Sequence, residues 1–105
     1  MNEVDLRNKQ TALHYAATNG HEAVIEALLS WGPIVDAQDH SKMTPLFFAC
    51  QQGHLACVLA LLKAGASVSV PNHEGTLPIH VAAATNKVEI VRILEDYGCS
   101  LDMVS

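Results

Sequence analysis

The residues best suited to chemistry are Cys50, His54 and Cys57, whose thiols and imidazole are ordinary zinc donors, together with the remaining five of the chain's six histidines, which suggest acid-base work. The spacing Cys-x3-His-x2-Cys matches no standard closed zinc site, and both cysteines fall at apolar positions of helical patterns. Free buried thiols are therefore expected. Catalytic signatures are missing too: there is no phosphate-cradling glycine loop, no nucleophile elbow and no carboxylate pair set up for acid-base work. No cofactor or metal is expected, and the chain does not read as an enzyme in its own right.

Composition narrows the classes further. Half of the residues are apolar but only 5% are aromatic, and Ala and Leu dominate, which suits helices packed closely through small side chains. A net charge of -5 with six Lys plus Arg leaves no basic stripe for phosphates, so neither nucleic acid nor an anionic membrane surface is an expected partner. The odd count of three cysteines and an amino-terminal segment with Glu3, Asp5, Arg7 and Lys9 but no apolar run point away from secretion. A reducing cytoplasmic compartment is expected, or the nucleus. The uncharged run Met43 to Leu62 has the length of a membrane span, but Gln51, Gln52, Gly53 and His54 at its middle would be costly there and split it into two short helices.

Those helices belong to a pattern that covers the chain. A shift of 33 residues superposes Gly32, Gly65 and Gly98, then Leu28, Leu61 and Leu94, then Ala16, Ala49 and Ala82. In the middle unit Thr44-Pro45 supplies a helix start, Thr as N-cap and Pro at the first helical position. Leu46, Ala49 and Cys50 then form a buried stripe until Gly53 ends the helix. Leu55, Val58, Leu61 and Leu62 follow with the same spacing on a second, longer helix closed by Gly65. The connector from Ala66 to Thr76, with Val68, Val70, Pro71, Asn72 and Gly75, suits a turn-tipped finger. The first unit lacks the proline and the third, starting Leu77-Pro78-Ile79-His80, lacks the cap. No single hairpin can bury its own stripe, so the units must stack.

Thr44-Pro45-Leu46, Ala49, Gly53-His54, Leu61-Leu62 and Gly65-Ala66 together resemble the ankyrin repeat in period and signature. The resemblance spans nearly the whole chain as three units, about 7–36, 40–69 and 73–102, in one domain over 1–105. It implies an all-α solenoid of stacked helix-turn-helix units with short β-turn fingers. His14 and His80 would brace neighbouring loops, and the rings of His21 and His54 would bond backbone. The departures are Phe47 for the usual His, Leu6 where Asp is common, Lys9 and Lys42 for a turn Gly, Asn86-Lys87 for Gly-His, and Glu95 where Leu29 and Leu62 are apolar. Glu95 implies a frayed or solvent-facing last helix.

The resemblance also implies a protein-recognition module, scaffold or adaptor that binds a partner protein or peptide in a concave groove of finger tips and first helices. The alternative is a structural spacer with no ligand of its own. The groove maps to Arg7, Asn8, Gln10, Tyr15, Thr18 and Asn19 in the first unit, and to His40, Ser41, Met43, Phe48, Gln51 and Gln52 in the second. In the third it maps to His73, Glu74, Thr76, Val81, Ala84 and Thr85. Helical geometry agrees, since Phe48, Gln51 and Gln52 fall on one face, opposite Leu46 and Cys50. Tyr15, Met43 and Phe48 are the candidate anchors, with Phe48 and Tyr15 equally readable as packing between repeats. Phe47 is assigned to packing, and Trp31 reads first as a surface indole partly covered by the next finger. Neither end shows a polar capping repeat, so an excerpt of a longer array, prone to self-association through its ends, is expected. A chain lengthened by one repeat should then melt at a higher temperature in a calorimetric scan; an unchanged melting temperature would count against the excerpt.

Overall fold

The computed structural model describes residues 11–32 and 34–98, which form six helices: α1 (Ala12–Asn19), α2 (Glu22–Leu29), α3 (Pro45–Gln52), α4 (Leu55–Lys63), α5 (Pro78–Ala84) and α6 (Val88–Asp96). The helix starts follow from their caps. The Thr11 hydroxyl accepts the His14 amide at 3.4 Å, and that of Thr44 accepts Phe47 at 3.2 Å. Leu77 has no hydroxyl, and α5 begins on Pro78, with the Leu77 amide donating to His80 Nδ1 at 3.4 Å.

Each pair of helices is a hairpin, and the hairpins stack as expected of a solenoid. The inner helices α1, α3 and α5 pack in sequence, the outer helices α2, α4 and α6 do the same, and each inner helix packs on its own outer partner. The apolar stripes Leu13, Ala16, Leu46, Ala49, Ile79 and Ala82 meet Ile25, Val58, Leu61 and Leu94 between these layers. Burial shows which faces the stacking seals. Ala17 and Cys50 are fully buried, whereas the equivalent Ala83 is exposed; Cys57 and Ile90 are buried, whereas the equivalent Val24 is exposed. Stacking also enlists polar groups, as the Asp36 carboxylate accepts the Ser67 amide at 3.0 and 3.2 Å across one repeat boundary.

Two expectations are settled here. Glu95 is exposed on an α6 that continues to Asp96, so the helix is solvent-facing at that position and not frayed before it. Trp31 is 70% exposed, a surface indole with little cover from the rest of the chain. Its equivalents Ala64 and Tyr97 are exposed as well, because this position lies past the end of the outer helix, beyond the contact between layers.

Turns within hairpins need left-handed backbone. Gly20 and Gly53 have φ of 74° and 79°, and Asn86 takes the same place in the third unit at 62°. The first two are also points of close approach. A β-carbon on Gly20 would lie 2.7 Å from His54 Nδ1, and one on Gly53 would lie 2.7 Å from Lys87 Cε. The His54 ring is fixed by its bond to the Thr18 carbonyl, while the Lys87 stem can swing aside. Gly20→Ala should therefore cost about 2–3 kcal/mol, the left-handed strain plus a lost hydrogen bond, and Gly53→Ala about 1–2 kcal/mol from strain alone. Urea denaturation checks the order, and equal losses would contradict the difference in rigidity.

Candidate binding face

The candidate face starts from its fingers, which are closed by hydrogen bonds within their own backbone. In the finger between α2 and α3 the Asp39 amide donates to the Met43 carbonyl at 3.0 Å and the Lys42 amide to that of Asp39 at 2.9 Å. Asp39 Oδ1 accepts the amides of Ser41 and Met43, both at 2.9 Å. Asn72 repeats the arrangement one period later, its Oδ1 accepting from Glu74 at 3.0 Å and Thr76 at 2.9 Å. Both side chains are buried. They are positioning residues; Asn72 was legible only as a turn residue and Asp39 not at all, although their recurrence 33 residues apart was the available signal. The turn departs from glycine at Lys42, which holds φ at 63°. Neighbouring fingers are joined by the His73 amide, which donates to the Ser41 carbonyl at 3.0 Å.

Histidine ties finger to helix. His14 is fully buried; its Nδ1 accepts the Thr11 amide at 2.9 Å, and its Nε2 donates to the Met43 carbonyl at 2.8 Å. The ring is thus a neutral tautomer bridging the first inner helix to the second finger, the bracing expected of it. His54 fills its expected role by donating from Nε2 to the Thr18 carbonyl at 3.1 Å. At the position of His14 the second unit has Phe47, which is 2% exposed and is a core side chain.

On this frame the named residues fall into rows, one from each inner helix. Tyr15 is 47% exposed, and the equivalent Phe48 and Val81 are half-buried. Beside them run Thr18, Gln51 and Ala84, then Asn19, Gln52 and Thr85, the last three all exposed. The expectation that Phe48, Gln51 and Gln52 share one exposed face needs correction. Only Gln52 is exposed; Gln51 is half-buried, and Phe48 packs on the core with its ring edge-on to His14, centroids 5.8 Å apart. Thr18, Thr85 and Asn19 spend one donor each on carbonyls of their own helices, those of His14, Val81 and Tyr15. On the fingers His40, His73 and Glu74 are exposed, while Ser41, Met43 and Thr76 are half-buried. Arg7, Asn8 and Gln10 lie outside the described residues.

Nothing in this arrangement prepares a reactive group. Cys50 and Cys57 are buried and in no disulfide, and burial followed by the charge of Glu22 raises the Cys57 thiol above its ordinary value, which keeps it protonated and a poor nucleophile. Among the described residues no group of His, Cys, Asp and Glu could hold a metal ion, and no helix is long and apolar enough to cross a membrane.

A family model of three ankyrin repeats matches the chain over residues 1–72 and again over 33–104. No curated protein matches it.

The His14 geometry carries a pH dependence. Burial pushes the imidazole below its ordinary value, with the bond to the Met43 carbonyl opposing. A proton on Nδ1 would also face the Thr11 amide donor. The unfolded chain thus binds that proton more tightly, so the contribution is complete above about pH 6.5 and is lost as the pH falls from there through the lowered folded value. Stability measured by urea denaturation from pH 7.5 to 5 should fall for the native chain and fall less for His14→Phe, the residue type found at position 47. Parallel slopes would place the proton uptake elsewhere.

Proposed function

Because the chain belongs to the ankyrin-repeat family, whose members generally serve as protein-protein interaction modules and not as enzymes, we propose that the finger tips and inner helices bind a partner protein or peptide. The observation that carries this reading is the row Tyr15, Phe48 and Val81. Three apolar side chains stand at one position of successive repeats, partly open to solvent and flanked by the exposed side chains of Asn19, Gln52 and Thr85. Large side chains backed by a rigid support are the usual source of binding energy at interfaces, because little of their entropy remains to be lost. The support here is physical: the ring of His14 behind Phe48, and fingers locked by Asp39 and Asn72. The buried thiols of Cys50 and Cys57, neither of them in a disulfide, suit a cytoplasmic or nuclear setting.

The variant for testing must spare the fold. A charge at Phe48 would fall against the buried His14 ring, so Tyr15→Glu combined with Gln52→Glu is the better choice, both residues being exposed. Glu26→Lys, exposed on α2 in the outer layer, is the control. In affinity capture from cell lysate read by mass spectrometry, partners held by the native chain and the control should be lost from the double variant. Melting curves should agree among all three proteins. Captures that are identical across the variants, or empty, would point to a spacer.

A further inference from the structure

The charge of this chain is distributed by layer. The inner helices α1, α3 and α5 contain no Asp, Glu, Lys or Arg at all. The outer helices carry Glu22 and Glu26 on α2, Lys63 on α4, and Glu89, Arg92, Glu95 and Asp96 on α6. The finger tips of the second and third units, residues 40–43 and 73–76, add Lys42 and Glu74, and in the sequence the first unit's tip, 7–10, adds Arg7 and Lys9. A chain of net charge -5 therefore presents an uncharged wall along its inner helices, bordered by charged finger tips, and carries five of its eleven acidic residues on the outer helices.

We infer that the partner of this face is an extended, uncharged polypeptide segment of about six residues, seated with an apolar side chain on the row of Tyr15, Phe48 and Val81. The inference rests on the binding face proposed above and specifies its ligand. A partner carboxylate or ammonium laid on this row would lose water and find no opposite charge among the side chains of the inner helices, which selects against it. Gln51 and Gln52 each offer an amide with both donor and acceptor, the same pair that a peptide unit exposes on an extended chain. A helix would present its side chains and keep its backbone groups for itself. The length follows from the stacking. Helices pack about 8–10 Å apart, so the row spans about 20 Å over three repeats, and an extended chain covers that in about six residues at roughly 3.3 Å each.

The test is selection from a phage library of random dodecapeptides on the immobilised full chain. Enriched peptides should share a window of about six positions in which Asp, Glu, Lys and Arg are depleted severalfold against the input library. A synthetic peptide of the most enriched sequence should change its Kd less than twofold between 50 and 500 mM NaCl. It should bind at least tenfold more weakly to Tyr15→Glu/Gln52→Glu, and equally well to Glu26→Lys. Peptides rich in Lys or Arg that weaken tenfold in salt overturn the inference; if they are still lost with the double variant, the binding face itself stands. Peptides lost only with Glu26→Lys overturn the face, and no enrichment overturns both.

Discussion

A hairpin of two helices of seven to nine residues has too little interior to cover both of its flanks. The structure depends on that shortage. Ala17 and Cys50 are sealed because another hairpin follows, Cys57 and Ile90 because one precedes, and their exposed counterparts Ala83 and Val24 show what each flank looks like without a neighbour. Close stacking in turn favours small residues on the inner helices, which explains Ala16, Ala49 and Ala82 at one position, and it allows no β-carbon at Gly20, where the His54 ring passes. Stability is therefore held mostly at the boundaries between repeats, as in other quasi-one-dimensional folds.

The two boundaries are built differently. Between the first and second repeats a buried imidazole bonds the next finger, and a second histidine bonds back across the turn. Between the second and third, the bracing positions hold Phe47 and Lys87. Hydrophobic burial and an aliphatic stem over Gly53 take those two places, and the directional bonds run between the fingers, from the His73 amide and its ring Nδ1 to the Ser41 carbonyl. Buried polar bridges orient what they join, whereas apolar contacts mainly bring surfaces together. The first junction thus fixes the second finger against α1 through the buried ring of His14, whereas the ring that crosses the second junction, His73 bonded to the Ser41 carbonyl at 3.3 Å, is exposed.

This division bears on the binding face. Buried acceptors on Asp39 and Asn72 hold each finger in shape, so the outward residues at its tip are presented by a rigid frame. The inner helices behind them need no charge for solubility, because the outer layer carries it. In the proposed reading a wall with apolar and amide groups faces the partner without demanding counter-ions, and specificity falls to shape and main-chain hydrogen bonding.

The 33-residue recurrence, the helix starts at Thr11, Thr44 and Pro78 and the membership of the ankyrin family were all legible in the chain, because cap chemistry and helical spacing act locally and every repeat states them again. The role of Phe47 in the core was legible for the same reason. What the sequence could not reveal was how far each repeated position is covered by its neighbours. Tyr15 and Phe48 occupy one place in successive repeats, yet one is half exposed and the other leans on a buried histidine; how little of Trp31 is covered was likewise not legible. Asp39 and Asn72 look like ordinary loop residues until their acceptors are seen closing the fingers. Periodicity determined which residues are equivalent, and tertiary packing decided which equivalents are buried, because burial depends on the atoms across the boundary and those belong to a different part of the chain.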